Sequence, residues 1–127
     1  MAVGDSVEVG GTLAEYMGKF EIIPASDDDI TVISQNNPLP AFQVITVASL
    51  VANGEDYESE LIKISNASIS SGSWPSGGES SNLTITDDAG TSTVTMRIDS
   101  DTDIDGQTQQ QEPFNVHGIA GKFTYSD

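Results

Sequence analysis

The apolar positions along the chain follow the pattern of a small β protein. Leu83 and Ile85 alternate with threonines, Asp87-Asp88-Ala89-Gly90 supplies turn chemistry, and Val94, Met96 and Ile98 alternate again. A period of two on both sides of a turn predicts a β-hairpin with one buried face. Upstream, Val7, Val9, Gly11 and Leu13 share one parity while Ser6, Glu8 and Thr12 take the other, which predicts a half-buried strand over 5–15. The Gly10-Gly11 pair inside it predicts a bulge or a sharp bend. Tyr16-Met17-Gly18-Lys19 then offers a turn, and Phe20 and Ile22 open a second strand that stops before Pro24.

The middle of the chain is punctuated rather than periodic. Asp27-Asp28-Asp29 is a charged connector, Ile30 to Ile33 fits a short edge strand, and the two prolines in Gln35 to Pro40 enforce an extended crossing. Thr46 can cap a short helix, VASLVAN, whose end Gly54 announces, and this is the one helix the sequence signals. Leu61, Ile62, Ile64, Ala67 and Ile69 predict a longer strand, with a break of parity that calls for a bulge. Ser70 to Ser81, rich in Ser and Gly around Trp74-Pro75, is a loop of a length that usually carries function or motion. Pro113 opens a last strand through Phe114, Val116 and Gly118 that ends near Phe123. Here the chain echoes its own beginning: VEVGGTLAEYMGKFEI and FNVHGIAGKFTY share a strand, a glycine and a Gly-Lys-Phe element, which an array of similar modules would produce and chance would also produce in so short a match.

Charge sets the environment. The 127 residues carry 20 acidic side chains against Lys19, Lys63, Arg97 and Lys122, a formal net charge of −16. Self-repulsion at that density opposes the compact state in dilute salt and is relieved by screening, so a salt-adapted protein is expected, with the ordinary acidity of secreted bacterial proteins as the competing explanation. The chain has no cysteine, which removes disulfides and thiol chemistry. Its first ten residues, MAVGDSVEVG, lack the basic and apolar regions of a signal peptide, and no apolar run is long enough to span a bilayer. No membrane insertion is expected, and the chain reads either as cytoplasmic or as an excised piece of something larger.

Several short segments resemble the OB-fold modules of large secreted or surface-attached bacterial proteins, found in tandem and sometimes beside nuclease domains. They are Gly4-Asp5-Ser6-Val7 with Val9, Gly11-Thr12-Leu13 and Glu15-Tyr16; Pro38-Leu39-Pro40; Tyr57 with Glu60-Leu61 and Ile64; Thr86-Asp87; Arg97-Ile98-Asp99 with Asp103-Ile104-Asp105-Gly106; and Pro113-Phe114 with Val116 and Gly118-Ile119. The resemblance implies an all-β, OB-fold-like, small Greek-key β-barrel in permuted strand order with one short helix. On that reading a single domain spans 1–127: an N-terminal hairpin over 1–33 completes the barrel, 34–57 is a linker and short helix, and 58–127 holds the main strands. It also implies secretion or cell-surface display, an accessory role within a longer polypeptide whose neighbouring domains are its partners, and no catalytic residues.

OB barrels bind oligonucleotides or oligosaccharides on one face and its loops. A single-strand binder needs a cationic groove and stacking aromatics, and four basic residues among twenty acidic ones cannot supply the groove, so nucleic acid is disfavoured as a partner. Trp74, Tyr16 and Tyr57 could instead stack on an oligosaccharide, although core packing explains most aromatics in a domain of this size. Asp101, Asp103 and Asp105, with Gly106 and then Glu112, match the spacing of an EF-hand calcium loop, in which oxygens at positions 1, 3, 5 and 12 surround a hard cation. The predicted neighbours are strands rather than the helices that flank such loops, so a solvated acidic loop competes with a calcium site. His117 is the one histidine, on a predicted strand, and no nucleophile elbow, Walker loop, zinc-ligand cluster or dinucleotide fingerprint accompanies it. The sequence therefore signals a non-catalytic binding or spacer module.

Overall fold

The computed structural model describes residues 1–124. Among them the chain forms strands β1 (Ser6–Val9), β2 (Thr12–Tyr16), β3 (Lys19–Ile23), β4 (Ile30–Ser34), β5 (Gln43–Val44), β6 (Leu61–Ser71), β7 (Ser81–Thr86), β8 (Val94–Ile98) and β9 (Phe114–Ile119), with two short helices, α1 (Val47–Ala52) and α2 (Gly54–Tyr57). The protein is all-β, as the alternation of apolar positions predicts. It divides into two compact units, one of Met1–Ala41 with the segment from Gly121, the other Phe42–Ala120.

In the unit Phe42–Ala120 the strand order is β5-β6-β7-β8, with β9 paired to β6. The eleven-residue β6 is its spine. Ile62 and Ile64 point inward with 6% and 2% of their surface exposed, and the parity then resets so that Ala67, at 0%, is buried too. The expected bulge provides the reset: the register against β9 slips between Ile64 and Ala67, and Asn66 adopts a left-handed φ of 57°. The predicted hairpin is β7–β8, antiparallel, with Leu83 opposite Met96 and Ile85 opposite Val94. Val47, Ile62, Ile64, Ala67, Ile85 and Ala120 form one buried cluster, against which Leu50, Tyr57, Ile69, Val94, Met96, Phe114 and Val116 pack. Thr46 caps α1 as expected, its Oγ1 accepting the Ser49 N–H at 3.1 Å. Gly54 does not close the helical region, however: it does not take the left-handed φ of a helix-closing glycine, so the chain turns at Asn53 and Gly54 opens α2.

The turn between β7 and β8 is built around one hydroxyl. Thr86, 6% exposed, donates its Oγ1–H to Asp88 Oδ1 at 2.9 Å and accepts the N–H groups of Asp88 at 3.3 Å and Gly90 at 2.9 Å. Asp88 Oδ1 in turn accepts the Ser92 N–H at 2.8 Å, while Ala89 and Gly90 take positive φ values of 58° and 91°. The Ser92 N–H, helped by the Thr86 hydroxyl, holds the Asp88 carboxyl below the usual carboxylate range. Its folded pKa is lowered, so its contribution to stability is present above the unfolded value near pH 4 and is lost as pH falls through the still lower folded value. Asp88→Asn should therefore flatten the acid limb of a stability profile measured by urea denaturation from neutral pH downward. Thr86→Val, which strands two backbone donors, should cost about 1–3 kcal/mol in the same assay. An acid limb as steep in the asparagine variant as in the parent would disprove the linkage.

In the other unit β1 pairs with β4 and β2 with β3. The single half-buried strand expected over 5–15 is in fact two strands in two separate sheets, broken at Gly10-Gly11. A Cβ on Gly11 would lie 2.6 Å from the Ile23 carbonyl oxygen, so only glycine admits β3 there. The β2–β3 turn has positive φ at Met17 (51°) and Gly18 (81°), the geometry of a type I′ hairpin. The expectation of a buried face fails on this hairpin: Leu13 is 76% exposed, Phe20 78% and Ile22 52%. Parity establishes which side chains share a face; a second layer is needed to bury it, and among the described residues of this unit none is fully buried. Ile30–Ser34 is the expected short edge strand, and the acidic connector before it is a 3₁₀ turn in which Asp29 Oδ2 accepts the N–H groups of Ala25 at 3.0 Å and Ser26 at 3.1 Å.

Candidate functional site

The unit Phe42–Ala120 carries a cleft of about 560 Å³ lined by Val44, Ile45, Thr46, Ser49, Tyr57, Ser65, Asn66 and Asp87. Each wall follows from a local cause. The β6 bulge turns Ser65 and Asn66 outward, and the Asn66 N–H, freed from the ladder, is taken by Asn115 Oδ1 at 3.3 Å. Asp87 begins the β7–β8 turn, and its Oδ2 accepts the Val47 N–H at 3.1 Å, fixing the carboxylate against the start of α1. Tyr57, at the end of α2, packs its ring on the core and brings its hydroxyl 3.0 Å from Ser49 Oγ. The result is hydroxyls, an amide and one carboxylate beside the apolar side chains of Val44 and Ile45. Such a surface hydrogen-bonds neutral polyhydroxyl groups and presents no cation to a phosphate.

Of the aromatics singled out from sequence, Tyr57 alone lines this cleft. Tyr16 belongs to the other unit, where it is 54% exposed and meets Phe123 edge to face at a centroid distance of 6.5 Å. Trp74 is half-buried, and its indole N–H is buried with no acceptor among the described residues. The loop that carries it is fastened down: Gly78 N–H donates to Asp105 Oδ2 at 2.6 Å, and Gly106 N–H donates to the Pro75 carbonyl at 3.0 Å.

Of the calcium-type carboxylates only Asp105 takes part in that fastening. Asp105 holds Gly78, Glu112 Oε1 accepts the Ile69 N–H at 3.0 Å, and Asp101 and Asp103 are exposed. Among the described residues no three acidic or histidine side chains are grouped as a metal site would require. Just upstream, Asp99 is kept below the usual carboxylate range by the Asp101 backbone N–H and the Arg97 guanidinium, 3.0 Å away. His117 stacks on Phe42, with centroids 4.4 Å apart and planes tilted by 33°. Lys19 pairs with Glu21 at 3.2 Å, as Arg97 does with Asp99, so these cations are directed to neighbouring carboxylates.

Asp87 and Thr46 were not singled out from sequence as site residues. The Thr-Asp dipeptide after an alternating strand and the helix cap at Thr46 were the available signals, and each alone reads as turn or cap chemistry. Among the described residues no helix is long and apolar enough to cross a membrane.

No family model matches the chain, and no solved structure matches it. Over 122 residues, 94% of its length, the chain is 29% identical to part of endonuclease YhcR of Bacillus subtilis strain 168, and the match covers 10% of that protein. The chain thus spans about a tenth of the length of this curated relative.

Proposed function

We propose that the chain is a non-catalytic accessory module, of OB type, in a larger extracellular or cell-surface protein with nuclease activity elsewhere in the polypeptide. The observation that carries this reading is the match of nearly the whole chain to a tenth of a protein named as an endonuclease. The arrangement of the chemistry-bearing side chains supports it: His117 is stacked on Phe42, and the acidic loop's Asp105 and Glu112 are spent on backbone N–H groups of other loops and strands. In this reading the module's partners are its neighbouring domains. The expected result is no cleavage of single- or double-stranded DNA or RNA by the isolated chain with magnesium or calcium present, and loss of substrate retention or display, with the catalytic turnover kept, when the module is deleted from the longer protein. Cleavage by the isolated chain that vanishes in His117→Ala would overturn it.

The hydroxyl and amide lining of the cleft favours a second role, capture of a neutral oligosaccharide. Titration with cell-wall and exopolysaccharide fragments, followed by amide shifts, should then move Thr46, Ser65 and Asn66, and Asp87→Asn or Tyr57→Phe should weaken binding by about 5–10-fold for each hydrogen bond lost. Shifts confined to the Trp74 loop would reassign the site.

A further inference from the structure

The two echoing strands each display one half of the same ladder. Val7, Val9 and Gly11 in and after β1 correspond to Phe114, Val116 and Gly118 in β9, and Gly18-Lys19-Phe20 corresponds to Gly121-Lys122-Phe123. β1 is paired only with β4, and β9 only with β6, among the described residues. If the strands are equivalent, one edge of this strand type takes a β4-type neighbour and the other a β6-type neighbour.

The hydrogen-bond parity tests that equivalence independently, because successive residues of an antiparallel strand direct their backbone groups to opposite edges. Gly10 donates its N–H to Asp29 at 2.9 Å, on the β4 side, so Glu8 shares that edge while Val7 and Val9 direct theirs to the free one. In β9 the phase is set by Ala120, whose N–H donates to Glu60 at 3.0 Å, so Gly118, Val116 and Phe114 face β6. The residues facing β6 in β9 are therefore the counterparts of those facing the unpaired edge in β1. Had the two strands used the same edge, the parities would have agreed instead of alternating. The side chains concur, since Phe114 and Val116 pack on the core while Val7 is the half-buried side chain of β1.

We infer that the free edge of β1 is a docking edge for a β6-type strand of a sister unit, a segment folded like residues 42–112 and lying in the same polypeptide. That unit would have no strand of its own in the β9 place, and β1 would fill it. The length of the relative, of which this chain matches a tenth, leaves room for such sisters. The same logic assigns the free edge of β9, with Asn115, His117 and the 63%-exposed Ile119, to a β4-type strand. The exposed apolar hairpin face of Leu13, Phe20 and Ile22 would be covered as this composite module closes.

The test fuses a duplicate of residues 42–112 ahead of the whole chain. In molar salt, the Val7 and Val9 amides should exchange at least about 100-fold more slowly in the fusion than in the 127-residue chain. Val9→Pro should abolish this protection in the fusion and leave the β1–β4 pairing of the unfused chain in place, because the Val9 N–H is directed away from β4. Unchanged exchange at Val7 and Val9 overturns the inference, whether or not the duplicate folds, since its folding is expected to require β1. No nuclease enters this experiment, so its failure would leave the accessory role standing, and the converse holds.

Discussion

Ile85→Ala should lower the unfolding free energy by about 2–5 kcal/mol, measured by urea denaturation in molar salt. Ile85 is 1% exposed and belongs to the cluster of Val47, Ile62, Ile64, Ala67 and Ala120, where β7 lies against β6. Truncation removes three carbons' worth of transfer free energy and leaves a cavity that strands held on both sides by ladders cannot collapse to fill. Against a typical total of roughly 5–15 kcal/mol, that loss is a large share. Leu13→Ala is the internal control: at 76% exposure it should change stability by no more than about 0.5 kcal/mol in the isolated chain. Equal losses at Leu13 and Ile85 would mean that the apolar face of β2–β3 is already covered.

The contrast between these residues also shows what the chain's pattern can and cannot convey. Around Leu83 to Ile98 alternation, turn chemistry and burial coincide, because both strands of the hairpin are laid on a core supplied by β6 and α1. The parity break before Ala67 was readable as a bulge for the same reason: a residue that must be buried on the wrong parity requires an extra residue. Leu13, Phe20 and Ile22 obey an equally clear alternation, yet they are exposed, since a periodicity cannot say what lies opposite. The break at Gly10-Gly11 was legible as a bend, but not that it separates two sheets. At the cleft, Tyr57 was visible as an aromatic and Asp87 was not visible as a wall, because its place depends on a contact with Val47 forty residues away. The acidic loop was legible in its spacing but not in its contacts. Its spacing is that of a cation loop, while Asp105 and Glu112 are drawn to the N–H groups of Gly78 and Ile69, partners far off in sequence.

Salt should produce the second large effect. Raising sodium chloride from about 0.1 M to about 1 M shortens the screening length from about 10 Å to about 3 Å, which removes most repulsion between exposed carboxylates on neighbouring loops while leaving short contacts such as Arg97–Asp99 in place. With a net charge of −16 on 127 residues, we expect a gain of about 3 kcal/mol, or a rise of about 10 °C in the thermal midpoint. Replacing exposed Asp27, Asp28, Asp101 and Asp103 with asparagine should reproduce part of that gain at low salt and flatten the remaining salt dependence. These four side chains make good substitutions because Asp29, Asp87, Asp88 and Asp105 hold backbone N–H groups and would confound the result. A comparison with an uncharged stabiliser such as sucrose separates screening from general exclusion effects: sucrose should raise the parent and the asparagine variant alike, and salt should favour the parent. A midpoint that does not rise with salt would end the salt-adapted reading and leave the acidity as a matter of solubility alone.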